Sequence, residues 1–401
     1  MSIQYKNPPT TKSGIDGDGS NQMNTYLYHR QAVIAAKDEI YFGALSSTID
    51  MPKHMGKEIR VYEYVPLLDD RNVNDQGINA AGVTIANGNL YGSSRDVGTI
   101  TSALPVLNEN GGRVNRVGFK RITLKGSLVK MGFFFEFTED SLNFDSDADL
   151  YKHLSREAVN GATKINEDLL QKDLLAAAGV IVYAGAATND GEVTGSTAGV
   201  PSEVNYDDLV RLARTLTDNK TPKQTKVISG SQLTDTRTIP SARVLFAGPE
   251  LEKTFRSMKD YHNDPAFIPV EKYADKANLL NGEIGAIDQF RIVINPDMMH
   301  WVGVGADSSS DNDGTYLDDI ATSNYNVYPV LCVGSESFVT IGFQSSGGDN
   351  KFNITTRKPG KEVADRNDPY GSTGFCSIQW YYGFLAKRPE RIGLIKTVAR
   401  A

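Results

Sequence analysis

The sequence is poor in the residues that carry covalent and metal chemistry. Its 401 residues include only 2 cysteines, 5 histidines and 2 tryptophans. Cys332 and Cys376 lack metal-ligand spacing and read as buried thiols in a reducing cytoplasm rather than as a disulfide. His29, His54, His153, His262 and His300 are scattered singly, whereas a metal site needs convergent ligands. No Walker A, HExxH or CxxC pattern occurs. Ser229-Gly230-Ser231 is not a GxSxG elbow, because Ile228 precedes it and Gln232 follows it. Two stretches imitate calcium loops, which need glycine at the sixth position and a bidentate glutamate at the twelfth. The loop starting at Asp16 has Asn21 and Leu27 there. The loop holding Asp311, Asp313 and a well-placed Gly314 starts on Ser309 and ends on Ile320. Residues 308–313 could therefore hold a cation only weakly. Asp145, Asp147 and Asp149 resemble paired carboxylates for acid–base work, but three acids at a helix start are more simply partners of the helix dipole. No nucleophile has an assignable base. The sequence thus gives no catalytic residue, no cofactor and no metal site.

Long apolar runs are also missing. None approaches the roughly 18 residues of a membrane span. The opening MSIQYKNPPTTKSGIDGDGS has no apolar core, so it does not read as a signal peptide. An excess of positive charge is absent: 42 Lys and Arg against 49 Asp and Glu leave −7. That argues against a global nucleic-acid binder, although local basic patches remain open.

What is present is an ordinary soluble composition, 40% hydrophobic and 23% charged. It is organised around a long helix over 147–178. Leu150, Leu154, Ala158, Ala162, Ile165 and Leu169 recur three or four apart and should share a face. Ser146 is a plausible N-cap, and Gly179 is expected as a left-handed C′ residue. At about 1.5 Å per residue the rod is roughly 45–50 Å long. Leu169, Leu170, Leu174 and Leu175 widen the stripe, so that end should be buried on more than one side.

Around this helix the chain changes character several times. Residues 1–25 are polar and Gly/Pro-containing, either disordered or an arm lying on a neighbour. A helix is expected over 26–41, with Val33, Ala36 and Ile40 on one face. From 57 to 130 a β-rich limb runs out, passes through a long Asn/Gly/Ser stretch, and returns. Loops this long are usually functional. The outgoing limb carries Glu58, Glu63, Asp69, Asp70 and Asp75. The returning limb carries Arg113, Arg116, Lys120, Arg121, Lys125 and Lys130. Three readings stand: the limbs neutralise each other, the loop lies on another subunit and pairs charges there, or the basic limb touches nucleic acid. The last lacks the aromatic platforms of single-strand binders. Beyond the helix, Asn205 should cap a second helix bearing Leu209, Leu212 and Leu216. Lys220, Lys223, Lys226, Arg237 and Arg243 surround a Thr/Ser-rich segment. RVLFA (243–247) is a buried-strand candidate, Pro249 should open a helix, and 282–296 reads as strand–turn–strand. Residues 180–335 therefore suggest an α/β lobe. The apolar 368–399 stretch should return to the core beside the long helix.

This order of parts resembles the major capsid proteins of tailed bacteriophages, whose fold is shared with herpesvirus capsids and encapsulin compartments. The resemblance rests on GEIGAIDQFRIVINPDMMHWVGVGAD (282–307), YPVLCVGSESFVTI (328–341) and DPYGSTGFCSIQWYYGFLAKRPERIGLIKT (368–397). It looks closest to short-tailed phages with a large virion-packaged RNA polymerase. The implied fold is α+β. Residues 1–45 would be the N-terminal arm and first helix, and 57–130 the extended β loop (E-loop) that reaches over the adjacent subunit. Residues 131–179 with 336–401 would form the peripheral domain, and 180–335 the axial domain, with 220–243 the candidate for its tip. The implied function is a structural shell protein of the virion, assembling as pentamers and hexamers around double-stranded DNA that it does not bind sequence-specifically. Assembly would take place in the host bacterial cytoplasm, with no membrane involved. A fused scaffolding segment would need more than the 25 or so residues ahead of the first helix, so a separate scaffolding protein is expected, with portal and decoration proteins. Lysine–asparagine crosslinking is known among relatives, but no pair is marked here. An encapsulin-like cargo compartment and a carboxylate-dependent carbohydrate enzyme are the alternatives. Asp69, Asp70, Asp75, Arg113, Arg116, Lys120, Arg121, Lys220, Lys223, Lys226 and Arg237 are the candidate subunit contacts. Reversing Arg116, Lys120 and Arg121 to Glu should block assembly without unfolding the subunit.

Overall fold

A computed structural model describes residues 41–51, 54, 56–64, 109, 121–140, 150–196, 199–229, 235–270, 280, 282–309, 314–343, 352–361, 364 and 368–401. The helix expected over 26–41, the cap at Ser146 and the Asp145–Asp147–Asp149 cluster lie outside these residues. The chain divides into two compact units, Lys53–Leu128 and a larger unit of Met1–Pro52 with Val129–Ala401.

The strands and helices follow in chain order. First come β1 (Ser47–Met51), β2 (Glu58–Tyr64), β3 (Arg121–Thr138), α1 (Leu150–Ala177), β4 (Val180–Tyr183) and α2 (Tyr206–Asp218). Then β5 (Gln224–Ser229), β6 (Asp235–Ala247), α3 (Glu252–Ser257), β7 (Ile268–Pro269), β8 (Glu283–Ile287) and β9 (Phe290–Ile294). The chain closes with β10 (Asp318–Asp319), β11 (Asn324–Tyr325), β12 (Tyr328–Val333), β13 (Phe338–Phe343), β14 (Phe352–Arg357), β15 (Thr373–Ala386) and β16 (Ile392–Thr397).

The centre of the larger unit is a mixed sheet in the order β4-β16-β12-β6-β9-β8-β7, with β5 on β6. It is buried on both faces. Leu245, Ala247, Phe290, Ile292, Val330, Cys332 and Ile395 point into one core with α2 and α3. Their neighbours Val244, Phe246, Val293, Leu331, Val333 and Ile392 point into another with α1 and β15. A sheet covered on both sides must be apolar at consecutive positions, which is why β12 and β16 are buried at every residue. The expected buried strand at RVLFA is the core half of β6. The expected strand–turn–strand is the antiparallel pair β8 and β9. β16 lies between β4 and β12, parallel to the first and antiparallel to the second. A boundary at residue 336 therefore does not follow the sheets, because the chain's last strand completes the sheet that 180–335 begins.

On the far side of α1 lies a second sheet, β1-β13-β15-β3, with β14 on β15. The spine helix α1 packs between the two sheets through Ala162, Leu170 and Leu174, with Leu169 and Leu175 half-buried beside them. The apolar face differs from the expected one. Ile165 is 41% exposed, and the buried row is Ala158, Ala162, Asn166, Leu170 and Leu174, four apart. Gln171 is buried as well: with its amide oriented to satisfy both neighbours, it donates to the Asp297 carbonyl and accepts from the Met299 N–H. A row identified by apolar residues alone misses Asn166 and Gln171. Glu167 accepts from the Phe42 and Gly43 N–H groups, which fixes the chain where it enters the unit. Tyr382 on β15 donates to Asp173 at 2.5 Å, and burial, reinforced by that bond, pushes its hydroxyl well above the ordinary tyrosine value.

Gly179 is not left-handed. It is required because a Cβ there would stand 2.6 Å from the Pro389 carbonyl, to which its N–H donates. Asn205 caps α2 as expected, within a full capping box completed by Asp208. Burial raises the Asp208 carboxyl above its ordinary value, although the Asn205 N–H and Arg211 act in the opposite direction. Pro249 opens a single 3-10 turn that leads into α3.

Arg243, which the sequence places both beside the Thr/Ser-rich segment and at the head of the buried-strand candidate, lies in the core. It is 3% exposed and bonds Gln289 Oε1 (2.7 Å), Thr217 Oγ1 (3.2 Å) and the carbonyls of Thr221 and Ala213. It pins the last turn of α2 to β6. Arg243→Ala should cost about 2–4 kcal/mol in urea unfolding of the subunit, since several buried acceptors lose their donor. Arg243→Lys should recover only part of that, because one ammonium cannot reproduce the fork. Full burial also pushes the Cys332 thiol up to about 12, so neither it nor the buried Cys376 should react with thiol reagents until the chain is unfolded.

Candidate subunit-contact surfaces

The smaller unit is described mainly as a ribbon. β2 pairs antiparallel with the first part of β3, placing Tyr62 opposite Thr123, Tyr64 opposite Arg121 and Arg60 opposite Lys125. Alternation then sorts the side chains. Ile59, Val61, Ile122 and Leu124 share a half-buried face. Arg60, Tyr62, Tyr64, Arg121, Thr123 and Lys125 share the other and are exposed. The Arg121 guanidinium lies 4.4 Å from the Tyr62 ring centroid, a cation–π contact that holds both side chains upright. Glu58 pairs along its own strand with Arg60 at 3.6 Å. Across the described ribbon, no acid of the outgoing limb faces a base of the returning limb; Arg60 and Lys125 oppose each other as like charges. The neutralised-hairpin reading therefore has no support among the described residues. A two-stranded ribbon is marginal alone in water, and this one has an exposed cationic, aromatic face.

Of the expected contacts, Asp69, Asp70, Asp75, Arg113, Arg116 and Lys120 lie outside the described residues. Arg121 sits on the ribbon face. Lys220 and Lys223 are exposed just ahead of β5, with Lys220 at φ +53°. Lys226 and Arg237 lie on the β5–β6 hairpin, paired with Thr238 and Val227 respectively. The sequence reading passed over Arg60, Tyr62 and Tyr64, although EIRVYEY alternates polar and apolar residues at period two, and that was the available signal.

The central sheet has two unlike ends. At one, β6 runs on past Val333 of β12 to pair with β5, and α1 feeds into β4. The basic hairpin is therefore at the spine end. At the other end a third core, Val193, Tyr316, Tyr325, Val327 and Val398, supports the loops over 184–203 and 301–326. Glu203 ties this lobe together by accepting from Thr254 Oγ1, Tyr316 OH and Arg400 Nη2 at 3.1, 3.1 and 2.7 Å. Lys396 is buried there against Asp190 (2.6 Å) and lies 4.5 Å from the Trp301 ring centroid. Asp311 and Asp313, the carboxylates that resembled a calcium loop, lie outside the described residues, and the two aspartates that follow them in the chain serve local structure. Asp319 accepts from the N–H groups of Ala321 and Thr322 and from Thr322 Oγ1, which holds its pKa below the ordinary value. Asp318 accepts from Ser308 Oγ. Among the described residues no cluster of His, Cys, Asp or Glu is placed to hold a metal, and no helix is long and apolar enough to cross a membrane.

The comparisons with known proteins bear on what such a chain is. The phage capsid protein family model matches residues 121–397. The chain is 55% identical over 397 residues to the major capsid protein of Pseudomonas phage KPP21, covering 99% of this chain and 97% of that one. In three dimensions it resembles a chain from the capsid of Ralstonia phage GP4, with a TM-score of 0.55 at 12% identity, covering 98% of this chain and 99% of that one. That likeness speaks for the fold alone. The sequence and family matches favour a virion shell over a cargo compartment or a carbohydrate enzyme. The chain belongs to the phage capsid protein family, as a structural component of the virion and not an enzyme.

Proposed function

We propose that this chain is the major capsid protein of a bacteriophage, and that it assembles with itself, as pentamers and hexamers, into an icosahedral shell around double-stranded DNA. The observation that carries the contact model is the exposed cation-and-tyrosine face of the β2–β3 ribbon. In this reading residues 57–130 form the extended loop that reaches over a neighbouring subunit, and that face meets an acidic surface there. Residues 1–45 are the arm, 131–179 with most of 336–401 the peripheral part, and 180–335 with β16 the axial part. The lobe of 184–203 and 301–326, at the sheet end away from the spine, replaces the 220–243 hairpin as the candidate axial tip.

A separate scaffolding protein, a portal and decoration proteins complete the assembly, which takes place in the host bacterial cytoplasm. A net charge of −7 suits a wall that encloses duplex DNA without gripping it, because many cationic phosphate contacts would hold the genome to the shell by counterion release. Each loop contact is weak alone, and a closed lattice makes many of them act together.

The test is charge reversal on the ribbon. Arg121→Glu with Lys125→Glu should leave the circular dichroism and melting temperature of the subunit near wild type, since both side chains are exposed. Electron microscopy and sedimentation should show few or no closed shells. Shells at wild-type yield from this variant would overturn the ribbon contact. Adding Arg116→Glu and Lys120→Glu should deepen the defect.

A further inference from the structure

The lobe end of the central sheet carries two patches of opposite character. One is a knob. Asp318 and Asp319 lead into a turn whose next residue, Ile320, is 94% exposed. Val302 and Val304 are exposed beside it, because Gly303 donates to Asn326 Oδ1 and accepts from Asn324 Nδ2, which binds the two stretches together. The hydrogen bonds to Asp319 hold the turn rigid, so the isoleucine cannot fold back. Residues 300–325 include aspartates at 307, 311, 313, 318 and 319 and no lysine or arginine. The other patch is a shallow, open groove along one side of the 249–257 turn and helix, presenting Pro249, Glu252, Lys253, Arg256 and Ser257. Lys253 is exposed, and Arg256 shares Glu252 at 2.8 Å, so the groove has one more cation than anion. It belongs to the same end of the sheet, since Thr254 of α3 donates to Glu203 of the lobe.

We propose that the 318–322 turn of one subunit seats in the Pro249–Ser257 groove of the next subunit around a ring. Ile320 lies on Pro249 and the aliphatic stems of Lys253 and Arg256, while Asp318 and Asp319 face the ammonium and guanidinium groups. The inference rests on the ring assembly proposed above and names one of its contacts. Two different, complementary patches at the same end of one chain are what a heterologous interface needs in order to close by rotation. Charge supports a second copy as occupant: acidic knobs gathered round an axis repel one another unless each meets a cationic surface. Ile320 does not stand alone: with Val302 and Val304 it forms a small apolar cluster on the knob, which the neighbour would cover.

The experiment uses the full chain carrying Ile320→Cys and Lys253→Cys. Cys332 and Cys376 are buried, so mild oxidation reports on the new pair. Shells from this chain should crosslink on a non-reducing gel into a ladder ending at pentamer and hexamer, while either single variant stays monomeric. Shells that are visible by electron microscopy but remain monomeric on the gel would overturn the knob-and-groove contact and leave the shell reading standing. If the wild-type chain gave neither shells nor capsomers even with its scaffolding protein present, both would fall. Ile320→Glu provides an independent reading, because the side chain is exposed and the melting temperature should not move. Shell yield should drop at least about tenfold, because the variant loses the apolar contact and adds a third anion to the knob. Undiminished yield would overturn the proposal, and this variant decides alone if the double-cysteine chain does not assemble.

Discussion

Everything in the larger unit depends on burying both faces of one sheet. β12 and β6 place successive side chains alternately into the α2/α3 core and the α1/β15 core, so neither core can form without the same strands. One layer of backbone serves two hydrophobic cores, and the packing on its two sides is coupled. Arg243, Lys396 and Glu203 are then anchors at the margins of that sheet. Arg243 and Lys396 each tie a helix end or loop to a strand, and Glu203 joins α3 to Tyr316 and Arg400, all by charge-assisted bonds.

This also explains how a subunit can be rigid in one part and incomplete in another. The larger unit has extensive cores of its own and leaves only scattered apolar side chains exposed. The ribbon of the smaller unit leaves one face half-buried and the other exposed, cationic and aromatic. On the proposed reading, that face is where a neighbour docks. A shell protein needs both kinds of structure: a body whose shape does not vary, and extensions whose order depends on the lattice.

Much of this was legible in the sequence, and the failures have physical causes. The family, the α+β class, the long helix, the Asn205 cap, the buried RVLFA strand and the strand–turn–strand at 282–296 could be read from period, capping chemistry and resemblance. Ile165 was misplaced because the spine's contact row includes Asn166 and Gln171, whose polar side chains hide it from a hydrophobic period. Arg243 was legible as the first residue of a buried strand but not as the anchor of α2, because nothing local shows that α2 will end above it. Gly179 looked like a helix terminator, whereas a strand-connecting carbonyl more than 200 residues later fixes it; no local rule contains Pro389. The ribbon face was only half-read: its cations were counted along the chain, but the tyrosines between them matter only once the two strands are in register.

The position of β16 makes the central sheet a closure between segments far apart in sequence. It fills the gap between β4 and β12, parallel to one and antiparallel to the other, and beyond it Ala401 donates to the Thr315 carbonyl. Such long-range pairing is slow to form. Until β16 is seated, β4 has no neighbour in the sheet and both cores lack part of their lining, so the two cores should form late and together.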